Sequence, residues 1–462
     1  TKGTNSLSFP IIHVTPAIPA VATVTESNGA CGSLTVGHTY EGLKIHVQGR
    51  GLIGMTATKS VSTELGTTME NRVTKWHHKN CLPIITTTAR KAGTATETKT
   101  IVDSLVIYPG TSEYILGSRY ITSVDFDGNI TREETIFQPT YGKPLRSSVY
   151  ANDGKQSDTY YTYGYYGWQY LPINVEKRQS AGNSSPWDVK KSSYSYNSMG
   201  LVTSKTESAE TPLALTTTYT YDSWGNVLST TSTGSGLENE TVTTSYIYDA
   251  SARFPIQVIE RGYIRKDYTY DNWGNMLTET NKTRSAYPQT TTYTYDGWNN
   301  LTSATSPLGV TTNYSIGWGT TAAQRYFTLE EAVGTPWIKT WYDETGRKTL
   351  TESAGLKGIV IREATGYNIK GETTSKVSLM GSRQSLHKYE YDSRNRMVSD
   401  RTYVGGSNIS NLYYSYGNRS RTTTHAGRTY TDSYDSWGNI IGASDPISSV
   451  SYTYGSNGKP SS

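Results

Sequence analysis

The phrase TYTYDSWGNV at 218–227 returns as DYTYDNWGNM at 267–276, TYTYDGWNNL at 292–301 and TDSYDSWGNI at 431–440. Looser copies of the pattern Tyr-(Asp/Asn)-x-x-(Gly/Asn) begin at Tyr196, Tyr342, Tyr367 and Tyr391, and degenerate ones at Phe126, Tyr248 and Tyr454. Successive copies often lie 22–27 residues apart. A period of that size marks an array of one supersecondary unit, which buries its faces only by stacking on its neighbours.

The unit can be built from its residues. Alternate side chains of a strand share a face, so Tyr219 and Tyr221 lie side by side. The same doublet recurs at Tyr246/Tyr248, Tyr268/Tyr270, Tyr293/Tyr295, Tyr389/Tyr391 and Tyr452/Tyr454, which predicts lines of rings across neighbouring strands. Asp222 suits the first position of a type I turn, where its carboxylate accepts backbone N–H groups, and Gly225 suits the left-handed position that follows. Tyr270, Asp271 and Gly274 repeat the arrangement, as do Tyr434, Asp435 and Gly438. After Tyr295 and Asp296 the glycine is replaced by Asn299, and after Asp392 by Asn395; asparagine is the residue that tolerates this conformation next best. Each repeat therefore reads as a β-hairpin, with turns expected at Asp222–Asn226, Asp271–Asn275 and Asp435–Asn439.

Composition decides between an ordered array and a disordered chain. Leu, Ile, Val and Phe number only 80 of 462 residues, a fraction that usually signals disorder. The net charge is only +4, however, and 38 residues are Tyr, whereas disordered chains combine strong charge with few aromatics. Thr, Tyr and Trp favour pleated surfaces, so the expected class is all-β: hairpins curling into a spiral or hollow β-shell over 116–462. Residues 1–115 are read as an irregular β region, sandwich-like or a plug, with strands such as AVATVTE (20–26), LKIHVQG (43–49) and IVDSLVIYPG (101–110). Beyond about residue 120 the array should supply roughly 20–26 strands, a strip about 100–125 Å long. Strand twist curls such a strip, and it has too little aliphatic residue to fill its centre.

Little in the sequence points to chemistry. The basic runs VEKRQ (175–179) and SRNRM (393–397) are short solvated faces, so no nucleic-acid partner is expected, and no stretch of 18 apolar residues exists to cross a membrane as a helix. His77, His78 and Cys81 lie close together, but adjacent residues of a strand point oppositely and a fourth ligand is lacking; no metal and no cofactor is expected. Whether Cys31 and Cys81 pair is left open by the sequence. The repeat aspartates 222, 271, 296, 343, 392 and 435 form a row, whereas glycoside hydrolysis needs one carboxylate pair. The chain is read as non-enzymatic. One binding alternative comes from the turns themselves: Trp224, Trp273, Trp298 and Trp437 could serve as glycan platforms of a surface adhesin, although other copies carry Thr345, Lys370 or Arg394 there.

The repeats YDSWGN, YDNWGN and YDETGR resemble the YD repeats of the Rhs proteins, found also in wall-associated proteins, in Tc toxin B and C components and in teneurins. The resemblance covers about 120–462. It implies a long β-strip spiralling into a shell that, in the bacterial members, encloses a C-terminal toxin polypeptide. It also implies a secreted or cell-surface bacterial setting. Family shells end in an Asp-Pro-x-Gly-Leu signature linked to self-cleavage; here Asp445-Pro446 is followed by ISSV, so self-cleavage is not carried over. The chain stops inside a repeat, and the expectation is that a longer protein or a partner chain completes the shell.

Overall fold

The computed structural model describes residues 11–15, 19–27, 32–49, 51–77, 83–107, 115–180, 188–234, 241–284, 286–455 and 459–460. Thirty-five strands belong to one sheet, and every pairing among them is antiparallel. From strand Ser33–His46 onward each strand pairs with the one before and the one after it, through to Ser449–Ser451. The short strands Ile11–His13 and Thr23–Ser27 share the outer edge of Ser33–His46. The sheet is thus a single meander with two rims of turns, and it does not close on itself.

The region before residue 115 lies in the same sheet. Strand Ala95–Ile107 pairs with Ile115–Val124 from Lys99↔Val124 to Ile107↔Ile115, so strand pairing runs through the boundary expected from composition. From Ile115 to Ser451 there are 28 strands, more than the 20–26 counted from motifs. The excess comes from hairpins whose turns lack the Tyr-Asp signature, such as Gln156–Tyr166 with Gln169–Ser180.

The strip has almost no apolar core. Among the described residues only Leu43, Ala57 and Ala89 are buried hydrophobic side chains. The accessible surface is 27722 Å², against about 17,000 Å² for a compact monomer of this mass. A single layer open on both faces has that excess.

What shapes the layer is contact between its rims. Asp127, in the turn after Ile115–Val124, accepts a bond from Arg394 at 2.6 Å, and the Arg394 guanidinium lies 5.3 Å from the Phe126 ring centroid. Asp153, in the turn after Pro144–Ala151, accepts from the Ser436 backbone N–H (3.0 Å) and hydroxyl (2.7 Å) and pairs with Arg419 at 3.2 Å. Arg419 also donates to Asn152, Lys155 to Asp435, and Ser27 to Glu344. In every case a turn on one rim of the early strip meets a turn on the opposite rim of the late strip. A ribbon whose left rim touches its own right rim further on is a coil. Asp127 and Arg394 belong to turns twenty-one strands apart, so one coil has a circumference of about 100 Å.

This seam yields a prediction. Substituting Arg394→Ala and Arg419→Ala together should open the coil and leave the hairpins intact. Small-angle scattering should show a larger radius of gyration while the far-ultraviolet circular dichroism stays unchanged. An unchanged radius would show that the rim contacts do not hold the coil.

Candidate functional site

The repeated Tyr-Asp turns line one rim of the strip, and their geometry is nearly identical from copy to copy. In 222–226 the Asp222 backbone N–H donates to Asn226 O (3.0 Å) and Gly225 N–H to Asp222 O (3.3 Å). Asp222 Oδ1 accepts the N–H groups of Trp224 and Asn226, both at 2.9 Å, while Oδ2 accepts the Asn226 amide at 2.9 Å. Asp271 holds Trp273, Asn275 and the Asn275 amide in the same way, and Asp296 holds Trp298, Asn300 and the Asn300 amide. At Asp343 and Asp392 an arginine replaces the amide: Arg347 and Arg396 Nε donate at 2.8 Å. The strand register slips by one residue at each turn, between Thr220 and Tyr221 for example, which is a bulge with glycine at its left-handed position.

Gly225, Gly274 and Gly438 have φ of 91°, 96° and 82°, and Asn299 and Asn395 have 65° and 62°. The glycines differ in room. A Cβ on Gly438 would meet nothing within 4 Å, one on Gly225 would lie 3.4 Å from Leu201 Cδ1, and one on Gly274 would lie 2.7 Å from the Phe254 ring. Gly225 and Gly438 therefore report backbone conformation, whereas Gly274 also makes way for a ring.

The tyrosines work through their hydroxyls as well as their rings. Tyr221 OH donates to Val202 O (2.6 Å), Tyr248 OH to Val227 O (3.1 Å), Tyr295 OH to Met276 O (3.0 Å) and Tyr391 OH to Thr373 O (2.8 Å). In each pair the acceptor stands six residues after the tyrosine of the preceding repeat. Tyr270 instead stacks on Phe254 with centroids 5.0 Å apart, and Tyr434 donates its backbone N–H to Arg419 O. Tyr219 and Tyr221 have centroids 6.5 Å apart and are half-buried, whereas Thr218 and Thr220 on the other face are exposed.

Burial and hydrogen bonding move the ionisable groups of this rim in opposite senses. Burial, with Tyr161 and Tyr141 nearby, pushes the Tyr163 phenol up to about 12. The Phe254 N–H, followed by the Ser251 hydroxyl, pulls Asp249 down to about 2. Burial alone would raise Asp435, but the Lys155 ammonium, the Asn439 amide and backbone N–H groups outweigh it and hold it below the usual carboxylate range. Asp249 and Asp435 are thus held as anions by the donors around them, a structural role rather than that of a proton donor.

The four motif tryptophans have two fates. Trp224, Trp273 and Trp298 are 80%, 81% and 88% exposed. Trp437 is half-buried beneath Lys155, whose ammonium lies 5.0 Å from its ring centroid and bonds Asp435. The sequence reading missed Lys155, Asp153 and Arg419. Among the described residues no group of three or more His, Cys, Asp or Glu is arranged to hold a metal, and no helix is long and apolar enough to cross a membrane; His78, Cys31 and Cys81 lie outside the described residues.

Two outcomes are expected from this geometry. Gly225→Val should cost about 1–2 kcal/mol, because a β-branched residue resists positive φ, and Gly225→Asn much less; equal losses in urea titrations would refute the turn assignment. The pH profile should have two shoulders. Tyr163 keeps its proton to about 12 when folded and to 10.0 otherwise, so its contribution is complete below pH 10 and is lost as pH rises towards 12. Asp249 lies at about 2 when folded against 3.8 otherwise, so its contribution is complete above about pH 4 and is lost as pH falls towards 2. A urea midpoint that already declines near neutrality would contradict both assignments.

Comparison with known proteins agrees with the geometry. The family model RHS Repeat matches residues 289–311, which hold the hairpin around Tyr295 and Asp296. None of the curated proteins compared with the chain matches it. The crystal structure of TcdB2-TccC3-Cdc42 superposes with a TM-score of 0.52 at 11% identity, covering 94% of this chain and 26% of that one. TcdB2-TccC3 without its hypervariable C-terminal region gives 0.52 at 12% identity, covering 92% and 25%, and TcdB2-TccC3 gives 0.51 at 11%, covering 94% and 26%. The chain thus spans about a quarter of the length of these Tc toxin structures. The repeated Tyr-Asp turns and the matching repeat model mark the chain as carrying repeats of the RHS, or YD, kind, and its fold is similar to that of these Tc toxin structures.

Proposed function

We propose that this chain is a non-enzymatic scaffold, a segment of a coiled β-shell that surrounds a polypeptide in an exported bacterial toxin complex or surface protein. The observation that carries the reading is the pairing of a rim-to-rim coil with a nearly absent apolar core. A wall about 100 Å around, lacking its own filling, is suited to enclose something else. Likeness to the fold of TcdB2-TccC3 supports the same direction. The enclosed partner is a toxin polypeptide, carried in the same protein or by a partner chain that completes the shell.

The half-buried Tyr face is assigned to the inner wall, because side chains crowd on the concave side of a curved sheet and Tyr219 and Tyr221 are less exposed than Thr218 and Thr220. Lines of phenols and threonine hydroxyls offer an unfolded chain hydrogen-bonding partners without an apolar nucleus on which to fold. The adhesin reading is weaker. In the one Tyr-Asp-x-Trp turn that meets another coil, the tryptophan receives a lysine of the strip itself.

Protease protection tests this. An unfolded reporter fused after Ser462 should be digested several-fold more slowly than the free reporter, and the Arg394→Ala/Arg419→Ala chain should lose that protection. Digestion at the free rate in the unaltered chain would overturn enclosure.

A further inference from the structure

One tryptophan turn in the seam is filled, and three on the open rim repeat its parts. In 435–439, Asp435 Oδ2 accepts the Asn439 amide at 2.9 Å and also the Lys155 ammonium, which lies over the Trp437 ring. Lys155 is 8% exposed and Asp435 7%, so this is a closed site for an ammonium, made of one carboxylate oxygen and one indole face. Asp222, Asp271 and Asp296 hold their own Asn amides through Oδ2 at 2.9, 2.8 and 3.0 Å, each beside an exposed tryptophan. The carboxylate oxygen that takes Lys155 in the fourth turn is therefore presented in the other three.

These three turns lie on the same rim as Asp435, but on the first coil, where no described part of the chain faces them. The position occupied by tryptophan sorts accordingly. Over the rim stretch that meets another coil it is Thr345, Lys370, Arg394 and the covered Trp437; over the open stretch it is Met199, Trp224, Ser251, Trp273 and Trp298. Three exposed indoles along one rim form a surface awaiting cover.

We infer that the open rim is a docking face for another coil of β-hairpin strip whose turn tips carry lysines, each ammonium bonding a turn aspartate and lying over the neighbouring indole. The occupant is identified by chemistry: an antiparallel hairpin turn with a lysine placed as Lys155 is in Asn152–Lys155. The filled site at Trp437 supplies the template, and the open rim is continuous with the rim that already forms the seam. Enclosure of a cargo is not required, so this inference stands or falls separately from the scaffold reading.

The test uses the whole chain and a head-to-tail cyclised hairpin peptide of sequence YANDGKQ, the segment 150–156, displayed densely on a sensor surface so that several turns engage together. Saturable binding is expected, with quenching of tryptophan fluorescence. It should weaken about tenfold when norleucine replaces the lysine, since both the ion pair and the cation–π contact go. Trp224→Phe, Trp273→Phe and Trp298→Phe combined should also weaken it, with circular dichroism unchanged. Equal binding of the norleucine peptide would overturn the inference. So would a chain that ignores the hairpin but binds an oligosaccharide, or self-associates, through the same tryptophans.

Discussion

In several Tyr-Asp hairpins one carbonyl lies just past the end of the ladder with the next strand, and the hydroxyl of the following repeat's tyrosine takes it. Val227 shows why. The strand Val227–Gly234 pairs with Thr241–Tyr248 only from Ser229↔Ser245 to Thr233↔Thr241, so Val227 O lies beyond the last rung, and Tyr248 OH reaches it. Tyr221, Tyr295 and Tyr391 do the same in their own repeats. A backbone carbonyl left without a partner is costly, and the bond that satisfies it also fixes the distance between one turn and the next. The array is thereby tied repeat to repeat along one rim, in a protein with almost no apolar core to do so.

That rim carries two further kinds of contact. Within a turn, the aspartate gathers backbone N–H groups and the side chain four residues on, which rigidifies the tip. Between turns of one coil, Asn226 donates to Ala252 O and Asn275 to Asn299 Oδ1, so neighbouring tips touch. Between coils, charged tips meet: Asp127 with Arg394, Asp153 with Arg419, Asp435 with Lys155. The last of these is nearly dry, and a buried ion pair is sensitive to loss of either partner. Rigid tips are what allow such pairs to form reproducibly along an edge hundreds of residues removed in sequence.

The hairpins, their turns and the β class were legible because their causes are local. The Asp222 carboxylate acts over two to four residues, and the left-handed position needs glycine or asparagine wherever it occurs. The tyrosine hydroxyl bonds were not legible. The doublet suggested ring stacking, and nothing in the spacing names a carbonyl in the preceding repeat as the acceptor. Hairpins such as Gln156–Tyr166 with Gln169–Ser180 escaped the count because their turn is Gly167-Trp168, without the aspartate signature. Strand pairing runs from the first 115 residues into the repeats, because antiparallel pairing asks only for an available edge, and strand Ala95–Ile107 supplies one.

By itself the sequence determined a repeating hairpin, its turn chemistry and a chain too poor in aliphatic residues to build a solid core. Only the tertiary structure decided how many strands make one coil, because that number is the sum of small twists over twenty-one strands and no single residue encodes it. That sum brings Lys155 to Trp437 across 280 residues of sequence and leaves Trp224, Trp273 and Trp298 open, although all four tryptophans stand in the same motif. Identical local sequences acquire different roles here because the rim they occupy meets another coil at one place and solvent at another.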